Sequence, residues 1–309
     1  MSDVARAEAI LRAACGDRLH TDFPMAPLTT FRIGGRAALF LEPESEGDLR
    51  AAAHALAEAD LPHAVIGKGS NVLVSDRGFG GLVLRLGRSY RWAARDGDTL
   101  AAGGSMPLPA LAGVALRHAL DGLAFGVAIP ATLGGAVKMN AGAHGGQMAD
   151  VLVEVELFRL ADGRTERLAA EDAGFRYRRS DLPRDAVVTG ATAQLHPGEP
   201  DAIREAMDEA RQWRRRTQPL AEPNCGSVFK NPAGGHAARL IEQAGLKGTR
   251  VGGVQVSEKH ANFIVADDGA SADDVSDLID LIVREVETRS GIVLEPEVQM
   301  IGGSGRAIG

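Results

Sequence analysis

The sequence predicts an α+β fold divided into two or three domains. Three observations carry this. The chain has 309 residues, more than one small core organises. Short apolar runs of strand length are interspersed with amphipathic stretches of helix length. Its 38 glycines gather in short loops, which favours tight turns and close approach of backbone to a ligand.

In chain order, residues 4–15 predict a short helix with Ile10, Leu11 and Ala14 inward. Strand Ala37 to Leu41, an alanine-rich helix from Glu46 to Asp60, and a buried strand Ala64 to Ile66 follow. Val72 to Val74 and Gly81 to Leu86 complete a first unit, residues 1–86. The second unit, 87–197, has a strand near Trp92 to Ala94 and a helix from Pro107 to Leu120. A glycine-rich stretch from Ile129 to Ala143 and strands Val151 to Arg159 and Ala186 to Leu195 follow. Pro197-Gly198-Glu199-Pro200 reads as the linker to a third unit, 198–309. That unit has helices Ala202 to Arg216 and His236 to Ala244, then strands Gly253 to Val256 and Asn262 to Val265. Ser271-Ala272-Asp273-Asp274 is a helix start, and its helix turns Val275, Leu278, Ile279, Ile282, Val283 and Val286 inward. Ile292 to Ile301 is the last strand, and no internal repeat is visible.

The net charge of −7 argues against general nucleic-acid binding, which needs a broad basic footprint. Cys15 and Cys225 form neither a metal-ligand spacing nor a disulfide framework, so no metal is expected and a reducing cytoplasm fits. Residues Met1 to Arg6 lack the basic and apolar regions of a signal peptide. No stretch approaches the roughly 18 apolar residues of a membrane span. A cytoplasmic monomer acting on a small molecule, with no membrane or nucleic-acid partner, is the expectation.

Two loops concentrate chemistry. Gly67-Lys68-Gly69-Ser70-Asn71 follows a strand, as phosphate loops do, but fits neither nucleotide signature. A P-loop would need Ser or Thr after the lysine, and Gly69 stands there; a dinucleotide fingerprint would need glycine at Val72. A turn whose bare N–H groups face an anion remains, beside an ordinary strand–strand turn. Gly134-Gly135 with Met139-Asn140-Ala141-Gly142 leaves the same choice between a ligand contact and close packing. In Pro223-Asn224-Cys225-Gly226-Ser227-Val228-Phe229-Lys230-Asn231-Pro232, a hydroxyl, an ammonium and a carboxamide sit within a few residues. Taken alone, Ser227 reads as a turn residue or helix cap.

Four segments together resemble one family. They are Thr29 to Gly35, Gly67 to Leu73, Ile129 to Gly142 and Gly226 to Pro232; Lys259 to Ile264 and Leu294 to Val298 match as well. The family is UDP-N-acetylenolpyruvoylglucosamine reductase (UDP-N-acetylmuramate dehydrogenase), and the resemblance spans nearly the whole chain in order. The short connection from Tyr177 to Ser227 is similar to the subclass lacking an extra tyrosine-bearing loop. Ala128 and Ala131 depart from the family pattern, which has glycine there. The resemblance implies a two-part FAD-binding module of the vanillyl-alcohol oxidase (PCMH) type, with a C-terminal α+β domain that binds the substrate.

What the resemblance implies chemically is reduction of an enolpyruvyl ether, UDP-N-acetylglucosamine enolpyruvate, by FAD and NADPH in peptidoglycan precursor synthesis. Flavin-contacting positions would be Gly67, Lys68, Gly69, Ser70, Asn71, Leu73, Ile129, Pro130, Thr132, Gly134, Gly135, Asn140 and Gly142. Ser227 would donate a proton, as an alcohol can only to a strongly basic carbon. Arg178 would hold the substrate carboxylate in a guanidinium fork. Its neighbours Arg176 and Arg179 compete for that role, and Arg176 would share a face with Arg178 in an extended segment. Glu297 would complete the set; alternation puts Glu295 on the same face, and the family match favours Glu297. Tyr177, Lys230, Asn231, Arg215 and Gln218 would contact the UDP-sugar. Arg214 and Arg216 read as a solvated helix end. A thiol nucleophile at Cys225 has no histidine partner in the sequence.

Overall fold

A computed structural model describes residues 2–303. Packing groups them into two compact units, each drawn from separate stretches of chain. Unit one takes the residues up to Thr21, Leu39–Lys68 and Gly81–Arg214; unit two takes Asp22–Ala38, Gly69–Gly80 and the residues from Arg215 onward.

Helix α1 (Asp3–Cys15) begins at Ser2, whose hydroxyl accepts from the Ala5 N–H. It buries Ala7, Leu11 and Cys15; of the residues expected inward, Leu11 is buried, Ile10 is partly buried against the same core, and Ala14 is exposed. The inward stripe repeats every four residues and packs on the alanine-rich α2 (Glu46–Ala59). A Ser45–Asp48 capping box opens α2, an arrangement worth about 1 kcal/mol. Strands Leu19–Pro24, Arg36–Leu41, Phe79–Leu84 and His63–Val65 form a sheet in that order. His63–Val65 is its edge strand, so it is half-exposed instead of buried, with Val65 39% exposed.

The larger sheet of unit one is antiparallel, in the order Arg164–Ala169, Leu152–Arg159, Ala186–Gln194, Thr99–Gly103, Ala93–Asp96. Two of these strands, Thr99–Gly103 and Arg164–Ala169, were not expected. Leu100, Val155, Leu157 and Val188 on this sheet share a core with Leu108 and Leu111 of α3 (Leu108–Arg117). Leu133, Ala136 and Val137 of α4 (Leu133–Lys138) join the same core. Helix α3 ends short of the expected Leu120, because Ala119 turns to φ +53° and Leu120–Asp121 pairs with His196–Pro197. Pro200 opens α5 (Pro200–Thr217), whose Ile203, Met207 and Ala210 pack on Ala112, Val127 and Ala128.

In unit two, α6 (Ala237–Gln243) and α7 (Ala272–Ser290) cover the antiparallel strands Arg250–Val251, Val254–Val256 and Ile264–Ala266. A Ser271–Asp274 capping box and Gly291 at φ +70° bound α7. It buries Val275, Leu278, Ile279, Ile282 and Val286, while Val283 is partly buried at the edge of the same core. The last strand is only Gln299–Ile301, parallel to Val72–Val74. Pro296 lacks the N–H a longer ladder needs, and only an isolated bridge joins it to Phe229.

Candidate active site

The glycine loop begins in unit one with Gly67 and Lys68 and ends in unit two with Gly69, Ser70 and Asn71. Among the described residues, none of its five consecutive N–H groups donates to a protein acceptor. Backbone N–H groups left open in this way can meet an anion such as a pyrophosphate. Gly69 stands at φ +67°, and a Cβ there would lie 2.0 Å from the Leu28 carbonyl oxygen. A Cβ at Gly67 would meet the Thr132 hydroxyl at 2.3 Å, so the loop start lies against the second glycine-rich strip within unit one. Ile129, Pro130, Thr132, Gly134, Gly135 and Gly142 of that strip are all half-exposed. The residues present fit a bound FAD here.

Three of these positions are closely packed. Leu73 is wholly buried in the unit-two core, because alternation turns it away from solvent, so its side chain presents nothing to a ligand. Asn140 is 1% exposed, and its carboxamide bonds to protein at three points: Nδ2 donates to Gln147 Oε1 and the Arg176 carbonyl, and Oδ1 accepts from Ala149 N–H. Gly142 packs on a hairpin, where a Cβ would lie 2.7 Å from the Gly146 carbonyl oxygen.

Arg178 sits on a tight turn, not in an extended segment. Arg176 and Arg179 exchange both backbone hydrogen bonds, and Arg178 lies between them at φ +56°. Turns place glycine or asparagine at such a position, so an arginine there is strained. Its Nη2 donates to the Gly142 carbonyl at 2.8 Å, and its guanidinium lies 5.1 Å from the Tyr177 ring centre. Both competitors, Arg176 and Arg179, pair with Asp181 on the surface. Tyr177 is 50% exposed.

The serine loop is fixed from three sides within unit two. Asn224 Oδ1 accepts from Gly226 N–H, and Gly226 turns at φ +81°. Asn262, buried, brackets Phe229 with its carboxamide: Oδ1 accepts from Phe229 N–H and Nδ2 donates to the Phe229 carbonyl. The Glu297 N–H donates to the Val228 carbonyl at 2.7 Å. Ser227 is half-exposed between these ties, and its hydroxyl has no protein partner among the described residues. Asn71 Nδ2 donates to the Glu297 carbonyl, so the end of the glycine loop and the Glu297 strand are held together.

Glu295 and Glu297 separate clearly. Glu295 is exposed and pairs with Lys230 at 2.5 Å. Glu297 is half-buried, and its carboxylate adds to the burial that pushes the Cys225 thiol up. That thiol is therefore no nucleophile. Asn231 Oδ1 accepts from Ala237 N–H and caps α6. Arg215 is exposed and its carbonyl accepts from Lys259, while Gln218 is half-buried. Arg214, expected to be solvated, is half-buried, and loss of solvent lowers its pKa. Two residues of the matching segments had no expected role and gain one, Asn262 and Thr30. The Thr30 N–H donates to the Gly69 carbonyl, and its hydroxyl donates to the Asn224 carbonyl at 2.6 Å, joining the glycine and serine loops.

No group of three or more His, Cys, Asp or Glu placed to hold a metal occurs among the described residues. None of their helices is long and apolar enough to cross a membrane.

The fold and the open loop define an FAD-binding protein of the PCMH type with an added C-terminal domain. The family of FAD binding domains matches residues 37–169, and that of the UDP-N-acetylenolpyruvoylglucosamine reductase C-terminal domain matches 218–301. A Bermuda grass isoallergen, BG60, shares the fold alone: TM-score 0.51, 16% identity, over 62% of this chain and 44% of that one. UDP-N-acetylenolpyruvoylglucosamine reductase of Heliobacterium modesticaldum is 46% identical over 284 residues, 91% of this chain and 90% of that protein. The crystal structure of the corresponding reductase from Thermus caldophilus superposes with TM-score 0.78 at 37% identity, covering 90% of this chain and 97% of that one. This chain belongs to the UDP-N-acetylenolpyruvoylglucosamine reductase family.

Proposed function

We propose that Ser227, Arg178 and Glu297 carry the chemistry of this enzyme, a UDP-N-acetylmuramate dehydrogenase. The reaction reduces the enolpyruvyl ether of UDP-N-acetylglucosamine to a lactyl ether in peptidoglycan precursor synthesis, with FAD and NADPH as cofactors. The hydride to the terminal vinyl carbon would come from FAD held by the glycine loop and the glycine-rich strip, with NADPH as its reductant. Negative charge then builds on the adjacent carbon and spreads into the carboxylate.

Arg178 holds that carboxylate and neutralises the charge as it develops. Ser227 donates the proton to the carbon; its neutral hydroxyl needs placement rather than a tuned pKa. Glu297 orients the serine and the acid group of the substrate. Gly67, Lys68, Gly69, Ser70 and Asn71 cradle the FAD pyrophosphate through backbone N–H groups, and Ile129, Pro130, Thr132, Gly134, Gly135 and Gly142 line the flavin. Tyr177, Lys230, Asn231, Arg215 and Gln218 bind the UDP-sugar. Functionally, residues 1–86 and 87–197 form the two-part FAD module and 198–309 the substrate domain, in a cytoplasmic, monomeric enzyme. The observation that carries the proton assignment is the Ser227 hydroxyl, which has no protein partner among the described residues while the backbone around it is held from three sides.

The deciding experiment is anaerobic NADPH oxidation by the purified flavoprotein, with and without UDP-N-acetylglucosamine enolpyruvate. Multiple turnovers only with that substrate support the reading. A single flavin reduction without turnover removes the assigned substrate.

A further inference from the structure

The segment carrying Arg178 is laced to the glycine-rich strip at four levels, all inside unit one. Lys138 Nζ donates to the Leu182 and Pro183 carbonyls at 2.9 and 2.6 Å. The Ser180 hydroxyl donates to the Lys138 carbonyl at 2.7 Å. Asn140 Nδ2 donates to the Arg176 carbonyl at 3.0 Å, and Arg178 Nη2 to the Gly142 carbonyl at 2.8 Å. Two of these residues, Asn140 at φ +42° and Arg178 at φ +56°, hold left-handed backbone that L side chains rarely adopt. Strain of this kind persists only where surrounding contacts over-determine it. Asn140 supplies that support from a buried position, with its donors and acceptor all consumed by protein.

We infer that Asn140 and Ser180 are positioning residues for the oxidative half-reaction: they hold the Tyr177–Arg178 turn on the flavin strip, and Asn140 does not contact the cofactor. This rests on the reading of Arg178 as the carboxylate clamp. A fork that must meet a carboxylate in two parallel bonds tolerates little rotation, so loosening its turn misplaces it.

The test is stopped-flow measurement of both half-reactions on the FAD-loaded protein. Asn140→Gly suits it, because glycine accepts φ +42° without strain while the carboxamide is lost. Flavin content and the rate of reduction by NADPH should stay at wild-type values, and reoxidation by substrate should slow about 10–10²-fold. Ser180→Ala, at a half-exposed site that does not threaten folding, should slow reoxidation several-fold, and Ser180→Thr should restore it. In an Arg178→Ala background, Asn140→Gly should add no further slowing, since it acts through Arg178. Full additivity of the two substitutions overturns the inference, as does loss of FAD in Asn140→Gly. If Arg178→Ala alone leaves reoxidation at the wild-type rate, the clamp itself is wrong and the inference falls with it. That result is distinct from failure of the positioning role alone.

Discussion

The Arg178 turn in unit one and the Ser227 loop in unit two are fixed in opposite ways. Arg178 is held at φ +56° by side chains reaching across from Asn140 and Ser180, and by its own guanidinium on the Gly142 carbonyl. Ser227 has ordinary backbone, is held by bonds to its neighbours, and leaves its hydroxyl without a protein partner among the described residues. The difference matches the two proposed jobs. A charged fork must be aimed, and aiming costs strain of about 1–3 kcal/mol. A hydroxyl rotates to suit its acceptor, so its carbon needs only to be placed.

The comparison can be broken most decisively at Ser227. Ser227→Ala should leave flavin reduction by NADPH intact and slow reoxidation by substrate roughly 10²–10⁴-fold; equal slowing of both half-reactions would reject the proton-donor role. Arg178→Lys keeps the charge and loses the fork. A loss of roughly 10²–10³-fold in the same half-reaction is expected, and a variant as fast as wild type would mean that charge alone suffices. Glu297→Gln should slow reoxidation about 10²-fold, while Glu295→Gln, which removes only the exposed partner of Lys230, should change it little. The reverse ranking would swap the two carboxylates.

The smallest effect lies on the unit-one side of the comparison. Burial lowers the Lys138 pKa to about 8. Between that value and the ordinary value of 10.5, the unfolded chain holds a proton that the folded chain has released. Folding stability therefore rises with pH across this window, and the penalty is fully present below it. Denaturant titrations at pH 7.5 and 9.5, compared with Lys138→Gln, should show this gain in the wild type and not in the variant. An identical pH response in both would mean that the two carbonyl acceptors cancel the effect of burial.

Helix α7 was legible almost completely, because its capping box, apolar stripe and terminal glycine all lie within or directly beside its own 19 residues. Edge strands and the short last strand were not, since burial and pairing depend on distant neighbours. The site divides along the same line. Short motifs placed the glycine loop and Ser227, and the family resemblance chose Arg178 over Arg176 and Arg179. Pattern alone left the backbone of that segment open, because an arginine at positive φ leaves no mark in sequence. Thr30 reaches Asn224 across 194 positions, and Asn262 reaches Phe229 across 33, so neither role could be read locally. Leu73 and Asn140 sit in segments that the resemblance assigns to the flavin, and both side chains are buried, Asn140 with three bonds to protein.

The turn at Arg178 also bears on how this enzyme could be engineered. Glycine at position 178 would relieve the left-handed backbone and gain about 1 kcal/mol. A library sorted only for heat resistance would therefore drift toward that substitution and accumulate sturdy proteins unable to finish the reaction. Thermostabilising campaigns on this scaffold should keep residue 178 constant and look for their gains elsewhere.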